Sequence, residues 1–171
     1  MMAYKSVEID ETLMRQELEF IRNHRYSVME NCAHFNDFGL LIMDNTPFKK
    51  FVIDHCLALE EELKNYLRNE FLDQMRIVTN EINAFKGRLD ENVSSIDDVI
   101  ALLSYIDTLK RQDNKVEEIA DYIDLLAKKA DFIESLKILF PEDTMIRYWH
   151  LRNWPRTIDT WIKQRTQQLL N

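Results

Sequence analysis

The side chains best suited to chemistry in this sequence are Cys32 near His34 and Cys56 beside His55. A nucleophilic thiol needs a base aimed at it. Neighbouring residues on a helix point about 100° apart, so His55 is badly placed to activate Cys56. Cys56 also falls on a stripe of apolar residues, where a small buried hydrophobe is expected. Glu30 and His34 stand four residues apart with His24 upstream. The Glu-x-x-His pairs that helical metal proteins direct inward are missing, so no metal site is expected. The carboxylates Glu60-Glu61-Glu62, Glu117-Glu118 and Asp121 lie off the apolar stripes and read as solvated faces. Phosphate cradles are built from successive backbone donors in Gly-rich turns. Gly39 and Gly87 are the only glycines, so neither a nucleotide site nor any cofactor is expected. Catalytic residues are expected to be absent, and the chain reads as a non-enzyme.

One cluster remains, Arg147-Tyr148-Trp149-His150-Leu151-Arg152-Asn153-Trp154-Pro155-Arg156, which with Trp161 holds all three tryptophans. Trp and Arg are enriched at binding hot spots. Trp149, Arg152, Trp154 and Arg156 are therefore the candidate partner-binding residues. The competing expectation is that Trp149 and Trp161 plug the end of a helical core.

Helices must position this cluster. From Asp10, apolar residues at Leu13, Leu18, Ile21, Val28, Cys32 and Phe35 follow a loose 3.6-residue period, predicting a first helix over about 10–37 with Gly39 as its stop. Asp44-Asn45-Thr46-Pro47 supplies capping side chains and a first-turn proline, predicting a second helix over about 47–86. Its stripe runs Val52, Cys56, Leu59, Leu63, Leu67, Phe71, Met75, Val78, Ile82, Phe85 and Leu89. Alternating steps of three and four are heptad spacing, and the row of fours from Leu59 to Met75 adds a stutter. Ser95 caps a third helix over about 95–138. There the sevenfold series Leu109, Val116, Ile123, Ala130 crosses a polar interval at 110–115 and favours one long helix over two. Pro141 ends it, and a fourth helix over 142–170 is expected to kink or restart near Pro155, with Asn153 as cap, because an interior proline costs roughly 3 kcal/mol. Leu63 and Ile123 are expected core residues. The expected fold is all-α, a single segment over 1–171. It would be an elongated antiparallel three- to four-helix bundle, spectrin-repeat-like, with heptad coiled-coil packing.

Composition agrees with helices. Two glycines and three prolines in 171 residues compare with about twelve and nine at average usage, too few for the turns of a β architecture. Residues 1–140 carry 17 basic and 27 acidic side chains, and 141–171 carry 5 and 3. An acidic body with a slightly basic end opposes binding to nucleic acid or anionic membranes. The longest fully apolar run is Val99-Ile100-Ala101-Leu102-Leu103, far short of the ~20 residues that span a bilayer. Two cysteines and no short apolar leader fit an intracellular setting.

In this order of elements the chain resembles the tail, or stem, region of dynein heavy chains that precedes the motor linker. The likeness starts at Leu41-Ile42-Met43-Asp44-Asn45-Thr46-Pro47-Phe48-Lys49-Lys50, which is similar to the family's Leu-x-x-Asp-x-x-Pro-Leu/Phe-Lys opening of a long helix. It continues through Ile82-Asn83-Ala84-Phe85, Ser95-Ile96-Asp97-Asp98, Leu102-Leu103-Ser104-Tyr105-Ile106, Ile123-Asp124-Leu125-Leu126, Phe140-Pro141-Glu142 and Trp161. Each motif alone is generic helical grammar, and the order and spacing carry the resemblance. Residues 1–40 match less clearly, and Trp149–Pro155 departs from the family's plainer Glu-rich helix. The resemblance implies a non-catalytic structural and scaffolding segment of a microtubule motor, lacking the motor's nucleotide-binding modules. It would contact adjoining heavy-chain tail segments or dynein intermediate and light chains. The Asp-x-x-Pro type of opening resembles axonemal members, implying a place in the cytoskeleton of a cilium or flagellum rather than the cytoplasm at large. The alternatives are a free-standing helical adaptor whose groove takes a partner helix and, with less support, a small helical enzyme.

Overall fold

The computed structural model describes residues 10–111 and 115–170, and helix accounts for 83% of them. Among the described residues the elements in chain order are helix α1 (Glu11–Asn31), a two-stranded sheet of β1 (Phe35–Asp37) and β2 (Ile42–Asp44), and helices α2 (Thr46–Leu89), α3 (Ile96–Arg111), α4 (Lys115–Ser135) and α5 (Glu142–Leu170). The chain divides into two compact units, one through Leu67 and one from Arg68 onward.

Local chemistry explains where the helices begin. Asp10 caps α1, its carboxylate accepting from the backbone N–H groups of Thr12 and Leu13 at 3.0 and 3.1 Å. Asp44 accepts from Thr46 N–H at 2.9 Å at the head of α2. Those Thr46 hydrogen bonds hold its carboxyl below the ordinary aspartate value. Ser95 and Asp98 form a reciprocal capping box on α3. Asp98 N–H donates to Ser95 Oγ at 3.2 Å, and Ser95 N–H to Asp98 Oδ2 at 3.0 Å. The α4 end closes with Ile138 N–H on the Ile133 carbonyl, five residues back, and with Lys137 at φ 60°. This is the left-handed reversal usually given to glycine.

Three expectations from the sequence are corrected. The first helix stops at Asn31, not near residue 37, and the chain turns instead into an antiparallel hairpin with Phe35 opposite Asp44, Asn36 opposite Met43 and Asp37 opposite Ile42. Gly39 is not a helix stop. At φ 82° it occupies the hairpin turn, where its N–H meets Asp37 Oδ1 at 2.8 Å and Phe38 N–H meets the Leu41 carbonyl at 2.8 Å. No restart occurs at Asn153: α5 runs without interruption through Pro155. Asn153 Nδ2 donates to the Trp149 carbonyl at 3.1 Å rather than capping a new helix. The join between α3 and α4, on which the choice of one long helix or two depends, falls at residues 112–114, outside the described residues.

The second unit holds the main core. Its α2 stripe Phe71, Met75, Val78, Ile82, Phe85 and Leu89 is buried throughout, as is Leu67 at the end of the first unit. Phe71 meets Phe140 and Tyr148 at ring-centroid distances of 4.8 and 5.8 Å, and Phe85 meets Tyr105 and Trp154 at 6.5 and 6.0 Å. Leu102, Ile106 and Leu109 of α3 and Ile123, Leu126, Ala130 and Ile133 of α4 are buried too. Each such large side chain contributes about 1.5–3 kcal/mol on leaving water. In the first unit α1 and α2 are tied by charge. Glu60 is 5% exposed and accepts from Arg22 Nε at 2.9 Å and Arg25 at 3.0 Å, with Lys64 Nζ at 3.0 Å. The solvated face expected at Glu60-Glu61-Glu62 is thus wrong for Glu60, because three cations supply the partners that burial of a carboxylate demands.

Candidate functional site

The sequence cluster at 147–156 lies on α5, and the helix divides it between two faces. Pro141 precedes the first turn, where Thr144 and Met145 N–H both reach the Pro141 carbonyl and Glu142 and Asp143 face the positive helix end. Thr144, Tyr148, Leu151, Trp154, Ile158 and Ile162 are buried. Trp149, 51% exposed, lies with Arg152 and Arg156 on the solvent side, at steps of three and four that keep the three in register on one face.

Trp154, expected among the partner-binding residues, is 3% exposed and stands nearly perpendicular to Phe85, with ring centroids 6.0 Å apart. It belongs to the core, because the 3.6-residue period carries it with Tyr148, Leu151 and Ile158. Its Nε1 is buried without a hydrogen-bond partner, which costs about 1–3 kcal/mol against the large apolar area of the indole. The expected end plugs behave differently again. Trp149 is out in solvent, and Trp161 is half-buried beneath Lys86, whose Nζ sits 4.9 Å from the ring centroid.

On the exposed face the Arg152 guanidinium lies 5.4 Å from the centre of the Trp149 ring, and Tyr148 flanks the same indole at 5.7 Å. A cation over an exposed indole gains about 0.5–1 kcal/mol, enough to bias both side chains toward a shared orientation. Arg147 is paired with Asp143 at 3.2 Å. Burial pushes the Tyr148 hydroxyl above its ordinary pKa, outweighing the pull of Arg152. This tyrosine therefore stays neutral and is a packing residue. The face can present a flat indole with two guanidinium groups to an acidic or aromatic surface, and it holds no group poised for bond making.

The other candidates do not converge. Because α1 ends at Asn31, Glu30 and His34 do not share a helix. His34 Nδ1 instead faces Thr46 Oγ1 at 3.4 Å. His24 stacks on Phe20 and His55 on Phe51, with centroids 6.1 and 6.0 Å apart, while Cys56 is buried. Among the described residues no group of three or more His, Cys, Asp or Glu side chains could hold a metal ion, and no helix is long and apolar enough to cross a membrane. A shallow cleft of about 200 Å³ lies beside the α3 start, lined by Arg88, Asp98 and Tyr105 among others, with Arg88 stacked 4.0 Å from the Tyr105 ring centre.

Sequence reasoning missed Glu60. A signal was present: Arg25 interrupts the apolar series Leu18, Ile21, Val28, and an arginine on the inward stripe of one helix calls for a carboxylate on its neighbour. Comparison with protein-family models and with curated proteins returns no match.

Proposed function

We propose that this chain is a non-catalytic structural and scaffolding segment of a dynein heavy-chain tail, probed at its exposed face by an adjoining tail segment or an intermediate or light chain. The observation that carries the reading is the order of the resembling motifs together with the jobs they do. Asp44 to Pro47 opens a 44-residue helix, Ser95 to Asp98 opens the next, and Phe140-Pro141-Glu142 opens the last. A family of motifs that resemble dynein tail in sequence and also act as its helix starts is stronger support than either property alone.

Heptad packing in a spectrin-like bundle is the finer fold we infer. The support is the unbroken run of buried α2 residues from Leu67 to Leu89 at steps of three and four. Force carried along such a segment would pass through backbone hydrogen bonds of α2, which has no proline after its first turn. Trp149, Arg152 and Arg156 are the residues proposed to meet a partner, and an axoneme is the proposed location. Crosslinking of the native complex, with peptides mapped to residues 1–171, tests this directly. Crosslinks from this segment to dynein tail or associated chains are expected, and their absence from a complex that otherwise crosslinks well would remove the reading.

A further inference from the structure

Five Arg and Lys side chains stand on α5, and the structure engages two of them in polar contacts. Arg147 pairs with Asp143 at 3.2 Å, and Arg165 donates to Gln168 Oε1 at 3.3 Å and to the Glu91 carbonyl. Arg152, Arg156 and Lys163 are exposed and make no ion pair among the described residues. From Trp149 to Lys163 only Asp159 is acidic, and it too forms no ion pair among the described residues. Three cations against one carboxylate leave this stretch positive on a chain whose net charge is −8.

The helix lines the unused charges up. At about 100° per residue, Trp149, Arg152, Arg156 and Lys163 fall within a strip roughly 60° wide. Arg152 to Arg156 is four residues and Arg156 to Lys163 is seven, so the charges stand about 6 and 10.5 Å apart along the axis. The Arg152 guanidinium lies over the Trp149 ring at 5.4 Å, and a guanidinium so placed keeps the N–H groups along its edge for a carboxylate. The spacing selects the backbone of what binds. A partner helix with carboxylates at i, i+4 and i+11 repeats these distances on one face, because both rods share the same rise and period. An extended strand does not. At about 3.4 Å per residue the first gap takes two residues and the second takes three, which turns the third carboxylate to the opposite side. A long polyanion meets the repulsion of the whole acidic chain, whereas a short acidic helix feels mainly the charges within a Debye length of about 8 Å.

We propose that the strip from Trp149 to Lys163 receives an acidic amphipathic helix of a protein partner, with carboxylates on Arg152, Arg156 and Lys163 and an apolar residue against Trp149. This rests on the reading of Trp149, Arg152 and Arg156 as partner-binding residues, adds Lys163 to them and names the partner's chemistry. It does not require the partner to be a dynein chain.

Zero-length carbodiimide coupling tests it, since the reagent joins a lysine amine only to a carboxylate in contact with it. The full chain, tagged and expressed in the cells it comes from, is coupled in its native assembly, and the Lys163 peptides are read by mass spectrometry. Lys163 is expected to be joined to a Glu or Asp of another protein, within a helical segment that carries further carboxylates seven and eleven residues away. Arg152→Glu with Arg156→Glu should reduce that crosslink by about tenfold or more while the helical circular dichroism stays the same. Arg152→Lys with Arg156→Lys, which keeps the charge, should retain most of it. Raising the salt to 1 M before coupling, where the Debye length falls to about 3 Å, should reduce it as charge reversal does. A Lys163 that couples to nothing, only to this chain, or to a segment without that carboxylate spacing overturns the proposal, as does a crosslink indifferent to charge reversal. Binding of single-stranded DNA through the same arginines in place of a protein would overturn it likewise. An acidic helix from a protein outside any dynein keeps this proposal and removes the dynein reading, whereas crosslinks to dynein tail that leave Lys163 uncoupled do the reverse.

Discussion

Along α2 a single periodicity of apolar residues meets two different surroundings. From Phe71 to Leu89 each stripe residue is buried, with Tyr105 of α3, Phe140 of the α4–α5 connection and Tyr148 and Trp154 of α5 against the Phe71 and Phe85 rings. Before Leu67 the same stripe is only partly covered: Leu59 is 39% exposed and Leu63 half-buried, while Cys56 and the off-stripe Glu60 are buried. The difference teaches that spacing selects which side of a helix turns inward, and the number of neighbouring helices decides whether that side is dry. Where neighbours are few, a charged cluster adds to the burial of Leu18 and Cys56 as a tie between α1 and α2.

Substitutions can break this contrast. Phe71→Ala should cost about 3–5 kcal/mol, and Leu67→Ala or Ile123→Ala about 2–5 kcal/mol, through lost transfer energy and a cavity; chemical denaturation measures both. If Leu59→Ala costs as much as Leu67→Ala, the two halves of α2 do not differ as described. Glu60→Ala should come next, at about 1–3 kcal/mol, because Arg22 and Arg25 lose the acceptor that holds them. The same cluster predicts acid sensitivity. Burial pushes the Glu60 carboxyl up, but hydrogen bonds from Lys64 and Arg22 and their charges outweigh it, leaving the folded value below the ordinary one. The stability it supplies is therefore full above about pH 4.3, the unfolded glutamate value, and is lost as pH falls below that. Glu60→Gln should flatten this part of the stability profile, and an unchanged profile would contradict the assignment. A smaller loss, about 1 kcal/mol, is expected for Ser95→Ala through the α3 capping box. Smallest is Trp149→Ala, within about 0.5 kcal/mol by thermal unfolding, whereas Trp154→Ala should behave like Phe71→Ala. Equal losses for the two tryptophans would undo the division of α5 into a buried and an exposed face.

The helical framework was legible because its signals are local. Capping at Asp44 and Ser95 needs only a few adjacent residues, and the α2 stripe needs only repetition. The hairpin was illegible because its two strands are three residues each and their polar and apolar residues do not alternate cleanly, so the segment reads as a weak continuation of α1. Asp37, Phe38 and Gly39 held the turn signal, but a glycine after a helix-like stretch is equally the mark of a helix end. The candidate face was half legible. A cluster of tryptophans and arginines names a region, and only the register of the helix sorts Trp149 outward and Trp154 inward. Pro155 misled because its cost is local and the core on its own face, Trp154 and Ile158, outweighs it.

The left-handed Lys137 at the end of α4 leaves stability unclaimed. A residue with a Cβ in that conformation pays roughly 1–2 kcal/mol that glycine would not, while glycine would add freedom to the unfolded chain worth roughly half that or more. Lys137→Gly, a substitution that weakens most helical proteins, should here be neutral or slightly stabilising. Position 137 is thus a place where lineages carrying this segment can exchange a surface charge for robustness at almost no structural consequence.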